Sequence, residues 1–180
     1  QAMNYLVTGQ PPTRKGTAHP NIVPYQAFAT ADGHLMLAVG NDAQFERFCA
    51  AAGAAGLAAD ARFSTNAERV AHREILVPAV EALLRLRTTA EWLAAFAAAQ
   101  VPCGPINDLA QVFAEPQVQH RGLRFELPHP TAGQVPGVRN PVRFGRTPVE
   151  YGRPPPLLGA DTAAELKDRL GLDERTLADL

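Results

Sequence analysis

Three polar side chains fall close together in residues 18–28, AHPNIVPYQAF: His19, Asn21 and Tyr25. An imidazole, a carboxamide and a phenol can each donate a hydrogen bond to a carboxylate, and the imidazole can also move a proton. Pro20 and Pro24 lie between His19 and Tyr25, either side of Asn21, and stiffen the backbone that joins the three. Stiff polar loops serve as walls of binding sites. The competing reading is that Asn21 only satisfies its own turn. The residues alone leave both open.

Other candidates are weaker. Cys103, between Pro102 and Gly104, is a nucleophile or, on the favoured reading, a small buried thiol. Arg139, Arg143 and Arg146 lie near proline and glycine and could clamp a phosphate or carboxylate, although such arginines are more often simply solvated. His19, His34, His72, His120 and His129 show no metal-ligand spacing, and there is no CxxC, so no metal site is expected. GxSxG, P-loop and GxGxxG motifs are absent, so neither a nucleophile elbow nor a nucleotide cradle is expected.

The elements that must position these residues can be read from period and punctuation. QAMNYLVTG has the pattern of the last turns of a helix, with Gly9 as its stop, which is the look of a fragment. Residues 10–24 form a Pro/Gly/Thr-rich connector. YQAFAT and HLMLAVG flank Asp32-Gly33, which predicts a hairpin whose second strand turns Leu35, Leu37 and Val39 to one face. Asn41-Asp42 caps a helix with Phe45, Phe48, Cys49 and Ala52 as its buried stripe and Gly53 as its end. Irregular short turns are expected over 57–71. A helix over 74–86 buries Leu76, Val80, Leu83 and Leu84, with Pro78 tolerable only in its first turn. Thr88-x-x-Glu91 is a capping box for a helix over 89–99 carrying Trp92 and Phe96. VPCGPIN reads as an edge strand or extended turn, and Asn107-Asp108 can cap a short helix over 108–114. Residues 117–121 form a further turn, and 123–130 and 138–144 are extended. RPPPLLG is a polyproline-like arm, followed by helices over 161–170 and 173–180. This order lacks a β-α-β rhythm and predicts an α+β domain with a hairpin packed on helices. The expected organisation is an arm over 1–24, a small domain over 25–125, and a return segment over 126–180.

Composition bounds the rest. Of 180 residues 46% are hydrophobic and 19% charged, enough apolar residue for a packed core. Seventeen basic against 18 acidic residues give a net charge of −1, which removes the usual electrostatic reason to bind nucleic acid or an anionic membrane. No apolar run is long enough to span a bilayer. Two cysteines make a disulfide framework improbable and a cytoplasmic location the default.

Several stretches together resemble one family. HPNIVPYQAFATADGHLMLAVGND is similar to the segment joining the large and small domains of family III CoA-transferases, the group of formyl-CoA transferase and the CaiB/BaiF proteins. VPCGPINDLAQVFAEPQVQHRGL resembles a second signature, and NPVRFGRTP followed by RPPPLLGADTAAEL resembles the C-terminal return segment. The set most resembles enzymes that move CoA between succinyl-CoA and dicarboxylates such as glutarate.

The resemblance implies a longer protein, whose Rossmann-like large domain carries most CoA contacts and a catalytic aspartate encoded before residue 1. Asp32, Asp42, Asp60, Asp108, Asp161, Asp168, Asp173 and Asp179 do not match that position, so no catalytic residue is expected in this chain. It further implies acyl-CoA and a carboxylic acid as substrates, no tightly bound cofactor, and an interlocked homodimer whose linkers wrap the partner. Formyl-CoA transferases have a glycine-rich loop at this junction. Here the stretch is His19 to Tyr25 without a glycine run, which implies a fixed wall with His19 or Asn21 available to a substrate carboxylate. An α-methylacyl-CoA racemase and a non-enzymatic interaction module are the two rivals.

Overall fold

A computed structural model of the chain describes residues 1–178. They divide into two compact units, Gln1–Ile106 and the residues from Asn107 onward. Each unit mixes helices with an antiparallel sheet, and the fold is α+β.

Unit 1 begins with α1 (Ala2–Thr8), which ends on Gly9 in the left-handed region at φ 69°, as the sequence predicts. β1 (Tyr25–Ala29) and β2 (His34–Ala38) form the hairpin, and β3 (Cys103–Pro105) adds to the far side of β2, giving sheet order β1-β2-β3. Leu35, Leu37 and Val39 are wholly buried on one face of this sheet.

Helices cover that face. α2 (Asp42–Ala52) is capped by the Asn41 side chain, which accepts from the Gln44 N–H, and it buries the predicted Phe45, Phe48, Cys49 and Ala52. The expected short turns are α3 (Ala55–Ala59), a 3₁₀ turn (Ala61–Phe63) and α4 (Asn66–Ala71). α5 (Arg73–Leu84) places Pro78 in its second turn rather than its first. The Glu74 carbonyl that loses an N–H partner there belongs to an exposed residue, so water can take the bond. Leu76, Val80 and Leu84 are buried, but Leu83 is only half-buried, a correction to the predicted core. α6 (Thr89–Ala98) starts with the predicted capping box. Its Trp92 and Phe96 stack with centroids 5.1 Å apart, Phe96 meets Phe48 at 5.5 Å, and the buried indole N–H donates to the Leu84 carbonyl at 2.7 Å.

The turn of the hairpin is tied to α6. The Asp32 carboxylate accepts from the Thr89 N–H at 2.7 Å and from the hydroxyls of Thr89 and Thr30. Those donors, the Thr89 backbone first, hold its carboxyl below the usual carboxylate range. A depressed folded-state value stabilises the fold above the unfolded value of about 3.9 and ceases to do so as pH falls through the folded value. Asp32→Asn is therefore expected to melt below wild type at pH 7, with the gap closing on acidification. A gap of constant size across that range would show that the ionised form is not what holds the turn.

Unit 2 carries α7 (Leu109–Ala114), capped by Asp108, and α8 (Pro116–His120). β4 (Arg124–His129) pairs with β5 (Gly133–Val138). The second extended segment thus lies before residue 138 rather than over 138–144. Gly133, at φ 70°, closes the turn that makes this pairing possible. Gly137 faces Phe125 across the pair, and a Cβ there would sit 2.5 Å from the ring, so the aromatic packs over bare backbone. Residues 151–157 have no regular structure, in keeping with the expected arm. α9 (Thr162–Leu170) and α10 (Glu174–Ala178) follow, and the last two residues of the helix expected over 173–180 lie outside the described residues.

Candidate functional site

Residues 17–25 lie along the open edge of β1. The Ala27 N–H donates to the Thr17 hydroxyl at 3.1 Å, and the His19 N–H donates to the Tyr25 carbonyl at 2.8 Å. That second bond brings the ends of the loop together, and the His19 and Tyr25 rings stack with centroids 5.2 Å apart at 18°. Val23 and Pro24 are buried, the Val23–Pro24 peptide is cis, and the Pro24 carbonyl accepts from the Val39 N–H beyond β2. The polar residues are less covered, with His19 and Tyr25 half-buried and Asn21 exposed.

The structure brings His19 and Tyr25 together and gives Asn21 different work. The Asn21 amide exchanges two hydrogen bonds with the Asn4 amide of α1, at 3.2 and 3.1 Å, and its N–H donates to His19 Nδ1 at 3.1 Å. A ring whose Nδ1 accepts an N–H carries its proton on Nε2. His19 is thereby set as a donor through Nε2, and the Tyr25 phenol is the second donor of the stacked pair. Behind them Arg73 donates to the carbonyls of His19 and Pro20 at 3.3 and 2.8 Å, and no carboxylate among the described residues pairs with it. Two neutral donors backed by an uncompensated guanidinium suit a carboxylate.

The remaining candidates resolve as follows. Cys103 sits in β3 opposite Leu37, and burial pushes its thiol up. Burial also pushes Cys49 up to about 11. Cys49 is buried, while Cys103 is only half-buried, and the raised values keep both thiols protonated at neutral pH. Arg139 and Arg143 line a cavity of about 550 Å³ in unit 2 together with Arg121 and Arg124, while Arg146 does not. The Arg139 guanidinium lies against both the Phe125 and the Tyr151 ring, at 4.9 and 5.1 Å, and Arg143 donates to the Arg121 carbonyl at 3.5 Å. Among the described residues no group of three histidine, cysteine or acidic side chains could hold a metal. Among the described residues no helix is long and apolar enough to cross a membrane.

Sequence comparison supplies what geometry cannot. The model of CoA-transferase family III matches residues 1–162. The chain belongs to CoA-transferase family III. It is 46% identical over 176 residues to the succinate–glutarate CoA-transferase of Agrobacterium fabrum, covering 98% of this chain and 44% of that protein. It is 40% identical over 179 residues to the succinyl-CoA:glutarate CoA-transferase of Homo sapiens, covering 99% and 41%. A CaiB/BaiF family protein from Brucella suis has a solved structure that matches with a TM-score of 0.77 at 41% identity, over 96% of this chain and 44% of that one. The chain thus spans less than half the length of these CoA-transferase relatives.

Sequence reading missed three residues that hold the loop of this CoA-transferase chain. Asn66, Arg69 and Arg73 bond its backbone, and Arg69 is wholly buried. Asn66 and Arg69 lie on α4 and Arg73 opens α5, so no single helical period links the three and no short-range signal marks them.

Proposed function

We propose that this chain is the small-domain part of a CoA-transferase that moves CoA from succinyl-CoA to a second dicarboxylic acid of the glutarate type. In this reading loop 19–25 is the wall that faces the acid. The similarity to succinate–glutarate CoA-transferases over 98% of the chain is the observation that carries the reading. The stacked donors His19 and Tyr25, with Arg73 behind them, support the placement of the loop.

The chemistry follows from the substrates. A carboxylate of the enzyme, outside this chain, attacks the thioester carbonyl of succinyl-CoA, and CoA thiolate leaves to give a mixed anhydride. The thiolate then attacks the enzyme's own acyl carbon, releasing succinate and forming an enzyme thioester. The incoming carboxylate attacks that thioester, expelling CoA thiolate and forming a second mixed anhydride. The thiolate then attacks the acid's acyl carbon, releasing the acid as its CoA thioester and freeing the enzyme carboxylate. Water would destroy each intermediate, so a fixed wall is of use beside them. A dicarboxylic acid reacts at one end, and its other carboxylate is the group that His19 Nε2–H and the Tyr25 phenol can hold. CoA enters as substrate rather than as a resident cofactor. A cytoplasmic homodimer of the complete protein is part of the same proposal.

The test is His19→Ala and Tyr25→Phe in the enzyme expressed from its complete gene. Losing a hydrogen bond to a charged group costs about 1.5–3 kcal/mol. At about 1.4 kcal/mol per decade, kcat/KM for glutarate should fall roughly ten- to hundredfold. The value for succinyl-CoA should fall less, and the melting temperature should hardly move. Unchanged kinetics for glutarate in both variants would reduce the loop to a connector.

A further inference from the structure

We infer that Asn66, Arg69 and Arg73 are positioning residues, which hold the backbone of loop 19–25 and so fix the direction of the His19 Nε2–H. The inference rests on the reading of this loop as the acid-facing wall.

The three side chains take up the backbone groups of four loop residues. Asn66 accepts from the Val23 N–H at 3.2 Å and donates to the Asn21 carbonyl at 2.8 Å. Arg69 Nε donates to the Val23 carbonyl at 2.8 Å, and Arg73 donates to the carbonyls of His19 and Pro20. A surface loop ordinarily satisfies such groups with its own turns or with water. Here three side chains from two successive helices, Asn66 and Arg69 of α4 and Arg73 at the start of α5, are committed to them.

Arg69 shows how far the commitment goes. Its side chain is 0% exposed, and burying a guanidinium is unfavourable unless its donors are met. They are met by the Val23 carbonyl, the Phe63 carbonyl at 3.0 Å and the Asp42 carboxylate at 2.8 Å, with the Phe45 ring 4.6 Å beneath. One planar fork therefore joins the loop, the 3₁₀ turn and the start of α2.

The link to His19 is mechanical. Asn66 holds the Asn21 carbonyl, and the N–H of the same Asn21 holds His19 Nδ1. Arg73 holds the His19 carbonyl. Ring and backbone of His19 are thus each one bond away from the clamp, and a loosened clamp frees the donor without removing it. The expected signature is a loss in positioning of the acid rather than in acyl-CoA handling.

The experiment uses Asn66→Ala, Arg73→Met and Arg73→Lys in the enzyme from its complete gene, with His19→Ala beside them. Arg69 is left intact, since its loss would empty a fully buried site and leave the Val23 and Phe63 carbonyls without their partner, endangering folding. Hydrogen exchange over residues 19–23 should quicken at least about tenfold in Asn66→Ala and Arg73→Met, with β2 unchanged. In both, kcat/KM for glutarate should drop about tenfold or more while that for succinyl-CoA changes little, and Arg73→Lys should recover most of the loss. Asn66→Ala changes no charge, so its effect separates positioning from electrostatics. Unchanged loop exchange in both variants overturns the clamp. A looser loop with wild-type kinetics, in an enzyme that His19→Ala does slow, overturns the positioning role alone. Wild-type kinetics in His19→Ala overturns instead the reading of the loop as the acid-facing wall, and the positioning role falls with it.

Discussion

Incubated by themselves with succinyl-CoA and glutarate, residues 1–180 are expected to yield no glutaryl-CoA above the uncatalysed background. Thioester exchange of this kind needs an activated nucleophile that can carry the acyl group. The two thiols are held protonated by burial. Asp32 is committed to the start of α6, Asp42 to Arg69, and Asp60 to Arg62 at 2.7 Å. In loop 19–25 the Asn21 N–H occupies the His19 Nδ1 lone pair, and no base bonds the Tyr25 phenol among the described residues, so neither is activated as a nucleophile. Enzymes exceed the uncatalysed reaction by about 10⁶-fold or more, and nearly all of that factor should be missing. Turnover at an enzymatic rate would place the nucleophile inside these residues and overturn the assignment of the chain as the non-catalytic portion.

Phe48→Ala is expected to have the largest effect on stability. The ring is wholly buried, and it lies 6.2 Å from Phe45 and 5.5 Å from Phe96, which itself stacks on Trp92. Its removal takes away transfer free energy and leaves a cavity between α2 and α6, at a cost of about 3–5 kcal/mol. For a domain of this size each kcal/mol corresponds to roughly 4–8 °C, so the melting temperature should fall by more than about 10 °C. Arg153→Ala, on an exposed arm, should stay within about 0.5 kcal/mol of wild type. Equal shifts from the two, followed by differential scanning calorimetry, would mean that the core lies elsewhere.

Local signals made most of unit 1 legible in advance. Asp32-Gly33 between alternating strands, Asn41 before an i, i+3, i+4, i+7 stripe, and Thr88 with Glu91 are each complete within a few residues, and each forms as expected. Failures came where the outcome depends on distant partners. Leu83 has the right period but lies at the margin of the packed face. The pairing of β4 with β5 depends on a turn at Pro130, Thr131 and Ala132 that carries none of the usual two-residue hairpin signals. His19 and Tyr25 stood out because two prolines lie between them, yet the partners that fix them come from more than 40 residues away, at Asn66 and Arg73. No short-range pattern announces that side chains of two helices will bond a loop's backbone. Asn21 looked free to meet a substrate and is instead joined to Asn4, a contact between α1 and the loop that only the folded chain creates.

One measurement bears most directly on the proposed function. The complete gene product is supplied with succinyl-CoA and glutarate in deuterated buffer, and the thioesters are resolved by mass. The predicted result is glutaryl-CoA and succinate in equal amounts, formed only when both substrates are present, with no deuterium at the carbon next to either thioester. Deuterium entering a 2-methylacyl-CoA substrate, without any glutaryl-CoA from the transferase pair, would contradict it and assign the protein to racemisation instead.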